Sequence, residues 1–267
     1  MIDKGTPRAS ELPGIYSELF SDLKNPPKKL YYIGKTELLQ KRKIAIVGAR
    51  RASQYARITT KKLASTLSSL GCVVVSGAAM GIDAAAHEGA GDSTIAVFGN
   101  SLDIIYPAVN KTLIEKIYKN SLAISEYESE EKPTNYSFVL RNRLIVAMGE
   151  VLIISEAEDD SGSMRSAEIA LKLGRQIYIL PHRIGESRGS MKLAKDGKAK
   201  IIYDLDAFVN ELGLDTLPLN SIKKDELLEF CSKTPSFGEA FAIYGEKLYE
   251  YELEGKIAIL NNKVCVK

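Results

Sequence analysis

Short segments that follow apolar runs of this sequence are rich in arginines and hydroxyl side chains, and one of them contains a phenylalanine. In the first of these segments, Gly48–Ser53, a glycine turn precedes two arginines. A strand that leads through a glycine turn into a helix is where mononucleotide-binding folds hold phosphate. A guanidinium there can bind phosphate through two parallel hydrogen bonds. The candidate phosphate contacts are Gly48, Arg50, Arg51 and Ser53. The simpler interpretation is that the two arginines are a surface pair without a ligand.

The segment Tyr136–Arg143 combines aromatic rings, a hydroxyl, an amide and two arginines. This combination is typical of a site for single-stranded nucleic acid, where a ring stacks on a base and cations meet phosphates. The candidates are Phe138, Arg141, Asn142 and Arg143. A structural interpretation stays open, in which the phenylalanine belongs to the core and the arginines pair with Glu126 or Glu156.

Small residues dominate the segment Ser76–Asp83, so that backbone or ligand can approach it closely. Gly77 is a candidate DNA contact in this segment. Asp83 suits the N-cap of the helix that follows. For Asp83 and His87, structural roles as a cap and as a buried polar contact are favoured over general-base catalysis.

An acidic segment, Glu156–Ser163, places four carboxylates within five residues. Carboxylates at this density can bind a divalent metal. No second carboxylate cluster or histidine adjoins them in sequence, so a solvated loop that caps the following helix is favoured and no metal is expected. Ser161 could donate to a phosphate at the N-terminus of that helix.

The composition is that of a soluble globular protein: 267 residues, 45% hydrophobic and 26% charged. No apolar stretch approaches the roughly 20 residues that span a bilayer, and the N-terminus lacks the apolar segment of a secretion signal. Three widely spaced cysteines, two histidines and no CxxC motif argue against disulfides and structural zinc. The sequence predicts a cytoplasmic protein without a cofactor.

The net charge is only +2, but the charges are unevenly distributed. Residues 1–43 carry nine Lys/Arg and five Asp/Glu, residues 44–217 carry 20 and 21, and residues 218–267 carry seven and eight. A nucleic-acid site must therefore be a local patch rather than a global field.

Short continuous apolar runs alternate with amphipathic segments between residues 43 and 213. Such runs are typical of strands that are buried on both faces of a parallel sheet. Strands are predicted at Ile44–Val47, Val73–Ser76, Ile95–Phe98, Ala123–Ser125, Val151–Ser155, Ile177–Leu180 and Ile201–Tyr203. Helices are predicted at Thr59–Leu70, Asp83–Ala90, Leu113–Tyr118, Phe138–Met148 and Ser166–Leu173. The alternation indicates an α/β fold with a Rossmann-like, doubly wound, mostly parallel sheet.

The predicted organisation has four parts: a lead-in segment at 1–42, the Rossmann-like domain at 43–213, a linker at 214–222 and a small domain at 223–267. The small domain is winged-helix-like, with helices and then strands at Lys224–Ser232, Phe237–Tyr244, Glu246–Glu254, Ile257–Leu260 and Val264–Val266. The third helix of a winged helix usually reads DNA. Because this third helix is acidic, phosphate binding by it is disfavoured.

Taken together, these segments resemble the DNA-processing protein A family (DprA, also called Smf). The resemblance covers about residues 12–205 and rests on motifs in family-like order, among them Gly48–Arg50, Ser76–Asp83, Asp103–Pro107, Phe138–Arg143 and Ser161–Gly162. It implies a non-catalytic, homodimeric protein that binds and protects single-stranded DNA in natural transformation and helps to load the RecA recombinase. Carried over to this sequence, it implies that Arg50 clamps a phosphate, that Phe138 stacks on a base, and that the adjoining wall is formed by Arg141, Asn142 and Arg143.

Two departures from the family pattern are Ala49, where serine is usual, and Pro181-His182, where Pro-Gly is usual. A different class, the lysine-decarboxylase-like enzymes that cleave nucleoside monophosphates, uses a Pro-Gly-Gly-x-Gly-Thr loop that this sequence lacks. A dinucleotide-dependent oxidoreductase is disfavoured because Arg50 occupies the second glycine of the GxGxxG pattern, where a pyrophosphate must approach.

Overall fold

Two compact units, Met1–Leu214 and Asp215–Lys267, make up the chain. The computed structural model describes residues 9–13, 18–214, 226–253, 255–260 and 262–266. Apart from Leu214, the predicted linker at 214–222 lies outside the described residues, and so does the start of the helix predicted from Lys224. Within the described ranges, no helix has the length and apolar character needed to cross a membrane.

A nine-stranded sheet forms the centre of the first unit. Its strands are β1 (Ser10–Glu11), β2 (Tyr31–Gly34), β3 (Lys43–Val47), β4 (Val73–Ser76), β5 (Thr94–Phe98), β6 (Leu122–Ser125), β7 (Val151–Ile154), β8 (Gln176–Ile179) and β9 (Lys200–Ile201). Their spatial order is β1-β2-β6-β5-β4-β3-β7-β8-β9, and β3 to β9 are parallel. The predicted mostly parallel, Rossmann-like sheet is confirmed, and the lead-in adds β2 antiparallel to β6.

The helices of the first unit are α1 (Gln54–Ser69), α2 (Ile82–Ala90), α3 (Lys111–Asn120), α4 (Asn135–Met148), α5 (Gly162–Lys172), α6 (Arg188–Lys195) and α7 (Leu205–Glu211). The five predicted helices are all present. Helix α1 begins five residues earlier than predicted because Ser53 caps it and its first turn is polar. The short helices α6 and α7 were not predicted.

Both faces of the sheet are covered. One face packs against α1, α2 and α7 through buried side chains such as Leu63, Ile82 and Phe208. The other face packs against α4, α5 and α6, for example through Leu144 and Leu193. Burial of each such large apolar side chain contributes about 1.5–3 kcal/mol, so the two layers hold the strand ends at fixed positions.

The order of the strands reverses at β3. From β3 the sheet grows through β4 and β5 to β6 on one side, and through β7 and β8 to β9 on the other. Open α/β sheets bind ligands at such a point, in the crevice outside the carboxyl ends of the strands. The loops that follow β3 and β7 border this crevice.

The second unit contains α8 (Glu226–Cys231), α9 (Phe237–Tyr244), α10 (Lys247–Leu253), β10 (Ile257–Leu260) and β11 (Lys263–Val266). The two strands form an antiparallel hairpin. A separate core is formed by the buried side chains of Leu227, Cys231, Ala240, Leu248, Ile257 and Val264. Three helices followed by a hairpin are the winged-helix-like order that the sequence predicts.

Candidate nucleic-acid interface

A cleft of about 360 Å³ opens at the point where the strand order reverses. The loop after β3, the helix α4 and the N-terminus of α5 form its walls. Six of the ten predicted site residues line it: Gly48, Arg50, Phe138, Arg141, Asn142 and Ser161. The topology of the sheet therefore brings together residues that are more than one hundred positions apart in the sequence.

A cation and two aromatic rings form a stack at this cleft. The guanidinium carbon of Arg50 lies 5.1 Å from the centroid of the half-buried Phe138 ring. The Tyr106 ring also stacks on Phe138, with centroids 5.5 Å apart and planes inclined by 23°. Arg50 is exposed and has no ion-pair partner among the described residues. Its charge is thus held over an aromatic face and stays available to a ligand.

Tyr106 was not among the predicted site residues, although its motif contributed to the family resemblance. Tyr106 is 41% exposed, so its ring is accessible at the surface. The pattern of the sequence could not show that the loop after β5 and the helix α4 bring two rings into contact. The second ring widens the aromatic surface beyond the single residue that was predicted.

Arg141 lies inside the protein, with only 4% of its surface exposed. Its Nη1 donates to the carbonyl oxygens of Gly77 and Val97, and its Nε donates to Asn142 Oδ1 at 3.2 Å. Burial lowers the pKa of Arg141 to about 10, which leaves it charged at neutral pH. The DNA contact predicted for Arg141 stays a prediction, and its hydrogen bonds assign it a role in fixing the floor of the cleft.

Arg143 and Asn142 have different surroundings although they are neighbours on α4. Arg143 Nη2 donates to Glu126 Oε1 at 2.5 Å, in a pair whose side chains are about one fifth exposed. This is the acidic partner that the structural interpretation of the sequence named. Asn142 lines the cleft, and its Nδ2 lies 3.5 Å from the carbonyl oxygen of Gly162. Asn142 therefore joins α4 to the start of α5.

The N-terminus of α5 forms an anion-receptive end of the cleft. Ser161, Gly162, Ser163 and Ser166 all line it. The hydroxyls of Ser161 and Ser166 are buried and have no hydrogen-bond partner among the described residues. Helix N-termini present free backbone N–H groups and a positive partial charge. Two unused hydroxyls beside them provide further donors for an anionic group such as phosphate.

Ser53 has a structural role in the loop after β3. Its Oγ accepts from the backbone N–H of Ala56 as the N-cap of α1, and it donates to Glu156 Oε2 at 2.6 Å. The same carboxylate accepts from the Ser53 N–H at 3.0 Å. These bonds tie the loop after β3 to the loop after β7. Arg51, also predicted, is exposed and lines a neighbouring groove between α1 and α2.

Two predicted glycines allow close packing around the cleft. A Cβ at Gly77 would overlap the guanidinium of Arg141. A Cβ at Gly48 would lie 2.5 Å from Cγ1 of Ile82, which is closer than carbon atoms approach without displacement. Both positions therefore need glycine for packing within the first unit. Contacts of either glycine with DNA stay predictions.

The residues Asp83 and His87 lie in the interior beneath the cleft. The N-cap of α2 is Gly81 rather than Asp83, so that prediction was wrong. Gly81 has φ +79°, a conformation in which an Asp side chain would be strained. Asp83 lies within the first turn, and burial raises its pKa. His87 Nε2 accepts from the Ala78 N–H at 3.2 Å, and burial lowers the pKa of His87 to about 3.

Two carboxylates of the acidic loop after β7 are engaged by neighbouring protein groups. Glu156 accepts hydrogen bonds from Ser53, and Glu158 pairs with Arg188 at 3.1 Å. In the part of the chain that the structure describes, no three His, Cys, Asp or Glu side chains converge in a way that could hold a metal ion. Glu156 and Glu158 thus bond to protein groups, and the expectation of no metal stays a prediction.

Known proteins match this chain over most of its first unit. Residues 12–213 match the family described as DNA recombination-mediator protein A. The chain belongs to this family. The DNA processing protein DprA of Streptococcus pneumoniae is 37% identical over 201 residues, which are 73% of this chain and 71% of that protein. Protein Smf of Synechocystis sp. is 33% identical over 207 residues, and this match spans about half of the relative, 52% of its length.

Two solved structures of family members have the same fold. DNA processing protein A from Helicobacter pylori, described for its single-stranded DNA binding mode, matches with a TM-score of 0.76 at 42% identity, over 78% of this chain and 97% of that chain. The X-ray structure of the Streptococcus pneumoniae protein matches with a TM-score of 0.72 at 34% identity, over 78% of this chain and 76% of that chain. The family resemblance predicted from the motifs is confirmed.

Proposed function

We propose that this family member binds single-stranded DNA in the cleft between the loop after β3, α4 and the start of α5. The observation that carries the proposal is the exposed Arg50 guanidinium over the half-buried Phe138 ring, next to a helix N-terminus with unused hydroxyls. Sites for single strands combine aromatic faces with cations in this way. The Helicobacter pylori relative, described for its single-stranded DNA binding, supports the proposal.

Each part of the cleft has a distinct task in this proposal. Phe138, extended by Tyr106, offers a face to an unstacked base. Arg50 binds the phosphate beside that base. The backbone N–H groups at the start of α5, with Ser161, bind a second phosphate. Arg141 does not leave the interior but holds the backbone of Gly77 and the side chain of Asn142 in place.

We propose binding rather than catalysis for this site. The two carboxylates that line the cleft are engaged by protein groups: Asp83 accepts from the Ala79 N–H at 3.4 Å, and Glu158 pairs with Arg188. His87 is uncharged and buried, and Glu156 accepts from both the backbone and the side chain of Ser53. These engagements favour a protein that holds DNA without altering it.

The biological setting in this proposal is natural transformation. As a homodimer, the protein protects an incoming single strand in the cytoplasm and helps to load the RecA recombinase onto it. Membership of a family described as recombination mediators supports this part of the proposal. It predicts a ternary assembly of DNA, this protein and the recombinase.

Two assays on one preparation test the proposed function. The first measures the binding of a fluorescent oligothymidine, and the second measures the release of ribose phosphate from nucleoside monophosphates. We expect saturable DNA binding and no ribose phosphate. Release of ribose phosphate without DNA binding would contradict the proposal and would favour the nucleotide-processing class.

A further inference from the structure

A second groove, of about 680 Å³, lies between α1 and α2 and shares Arg50 with the cleft. We infer that this α1–α2 groove carries the continuation of the single strand beyond the cleft, with phosphates on the cations of α1 and sugars and bases on apolar side chains. The inference rests on the proposed function and extends it, because it gives the direction in which the strand leaves Phe138.

The charges of the α1–α2 groove suit a polyanion. Arg51, Arg57 and Lys61 line it together with Arg50, whereas Glu88 is its one acidic lining residue. Glu88 is paired with Lys61 at 3.2 Å, and both side chains are about half exposed. Arg51 and Arg57 are exposed and have no ion-pair partner among the described residues. An exposed pair such as Lys61–Glu88 contributes little, so a phosphate can displace it.

The cations of α1 are arranged along the groove rather than across it. Arg57 and Lys61 are four residues apart on one helix, so they lie on the same face and are about 6 Å apart along the helix axis. Arg51 precedes them near the start of that helix. The result is a row of three cations that begins beside Arg50 and leads away from the cleft.

The groove also exposes aliphatic side chains. Ile58 is 60% exposed, Met80 is 42% exposed and Val109 is 73% exposed, and all three line it. Its α2 wall is formed by the short side chains of Ala84 and Ala85. A flat ligand with apolar faces and a charged backbone fits such a surface.

Continuity with the cleft favours DNA over an acidic protein as the occupant. Arg50 and Met80 line both this groove and the small pocket beside Phe138 and Tyr106. A strand whose base rests on Phe138 and whose phosphate rests on Arg50 therefore meets the α1–α2 groove next. An acidic protein would need no contact with the aromatic stack.

The test compares two lengths of oligothymidine, about four and about sixteen nucleotides, which bracket known single-strand site sizes. The groove variant is Arg57→Gln with Lys61→Gln. The matched control is Lys116→Gln with Lys119→Gln, which removes two exposed charges from α3 outside the groove. For each protein, affinity is measured by fluorescence anisotropy at several salt concentrations, and folding is checked by thermal unfolding.

For the longer oligonucleotide, we expect the groove variant to lower the slope of log affinity against log salt by about 1.4, since each lost phosphate contact on a single strand is worth about 0.7. The shorter oligonucleotide and the control should show no such change. An unchanged slope for the longer oligonucleotide, or an equal decrease for both lengths or in the control, would overturn the inference.

A parallel measurement on Phe138→Ala separates this inference from the proposed function. If Phe138→Ala weakens binding of both lengths while the groove variant weakens neither, the groove inference fails and the cleft stands. If Phe138→Ala weakens neither length, the proposed function itself fails. A folded groove variant that loses binding only to the longer oligonucleotide supports both the groove inference and the proposed function.

Discussion

The cleft of the first unit and the third helix of the second unit present opposite charges to a polyanion. At the cleft, Arg50 is exposed and has no acidic partner among the described residues, and the same holds for Arg51 in the adjoining α1–α2 groove. In the second unit, α10 carries Glu250 and Glu252, in the element with which a winged helix usually reads DNA. The difference predicts that the location of exposed cations, rather than the fold that carries them, decides where a nucleic acid binds.

Both units contain contacting aromatic rings, so aromatic side chains alone do not distinguish the two units. In the first unit, Phe138 stacks with Tyr106. In the second unit, the rings of Phe237, Phe241 and Tyr249 have centroids 5.4–6.1 Å apart. Lysine ammonium groups also lie over the Tyr251 ring of the second unit, 4.6 and 5.6 Å from its centroid. What the first unit adds is the place of its cation and ring, Arg50 and Phe138, in a cleft that ends at the N-terminus of α5. Five predictions test this comparison, two through the stability of the first unit and three through DNA binding, beginning with the largest expected effect.

The largest effect should follow from Arg141→Ala, which removes the support beneath the cleft. The substitution removes the hydrogen bonds to Gly77 and Val97 and leaves a cavity. We expect the free energy of unfolding of the first unit to fall by about 2–5 kcal/mol. Urea unfolding measures the change, with Arg143→Ala as the matched control on the same helix. An equal or smaller loss for Arg141→Ala than for Arg143→Ala would contradict the supporting role.

The second prediction concerns the acid stability of the first unit, in which His87 is buried. His87 has a folded pKa of about 3, below its ordinary value of 6.5. The unfolded chain therefore gains a proton first, so the stabilisation present above pH 6.5 is lost as the pH falls toward 3. The loss is at most about 1.4 kcal/mol per pH unit.

Urea unfolding at pH 7, 6 and 5 measures this loss of stability. The variant His87→Gln keeps a hydrogen-bond acceptor near the Ala78 N–H but does not titrate. We expect its stability to vary less with pH than that of the wild-type protein over this range. Parallel pH profiles for the two proteins would show that His87 is not buried as an uncharged group.

The third prediction compares one aromatic ring from each unit. Phe138→Ala should weaken oligothymidine binding by about 1–3 kcal/mol, the usual contribution of one stacked base. Phe241→Ala, which removes a 38% exposed ring from the second unit, should leave it unchanged. Anisotropy titrations of both variants measure the difference. Wild-type affinity in a folded Phe138→Ala protein would show that the Phe138 ring belongs to the core or has no role in DNA binding.

The fourth prediction concerns the cation over that ring. Arg50→Ala should lower affinity for all sequences and reduce the salt slope by about 0.7, the contribution of one phosphate contact on a single strand. Lys172→Ala, at the far end of α5, is the control for the loss of one exposed charge. If the salt slope is the same in Arg50→Ala and wild type, Arg50 does not lie on the path of the DNA.

The smallest effect should come from removal of the second unit. A protein truncated after Leu217 retains the cleft and both layers of its core. We expect it to bind oligothymidine with nearly full affinity, because the acidic α10 cannot release counterions from DNA. Loss of most of the affinity in a folded truncated protein would point instead to the basic residues Lys256 and Lys263 of the hairpin.

Much of the fold could be predicted because buried parallel strands are short, continuous apolar runs. Six of the seven strands predicted for the first unit match strands of the sheet, and the seventh, predicted at Ile201–Tyr203, overlaps β9 only at Ile201. No other pattern in the sequence competes with runs such as Ile44–Val47. Helix α6 escaped prediction because it is short and contains Gly189 and Ser190, which lie against the interior without an apolar pattern. The cap of α2 escaped prediction because an aspartate at the start of a helix is usually read as its N-cap.

The candidate site could be predicted only in part, because a sequence does not show which arginines are already bonded. Arg50, Arg141 and Arg143 are equivalent as residue types, yet one is exposed, one is buried and one is paired with Glu126. The ring of Tyr106 and the hydroxyl of Ser166 reach the cleft through tertiary packing that leaves no periodic pattern. The sequence predicts which residues lie near the carboxyl ends of the strands, but it does not predict how exposed their side chains are.

Binding of DNA by the first unit as a single strand is tested by comparing oligothymidine with its duplex. Both ligands have the same length, and the wild-type affinity for each is measured at one salt concentration. Because Phe138 needs an unstacked base, we expect the single strand to bind at least about tenfold more tightly, which is about 1.4 kcal/mol. Equal affinity, or tighter binding of the duplex, would contradict the account.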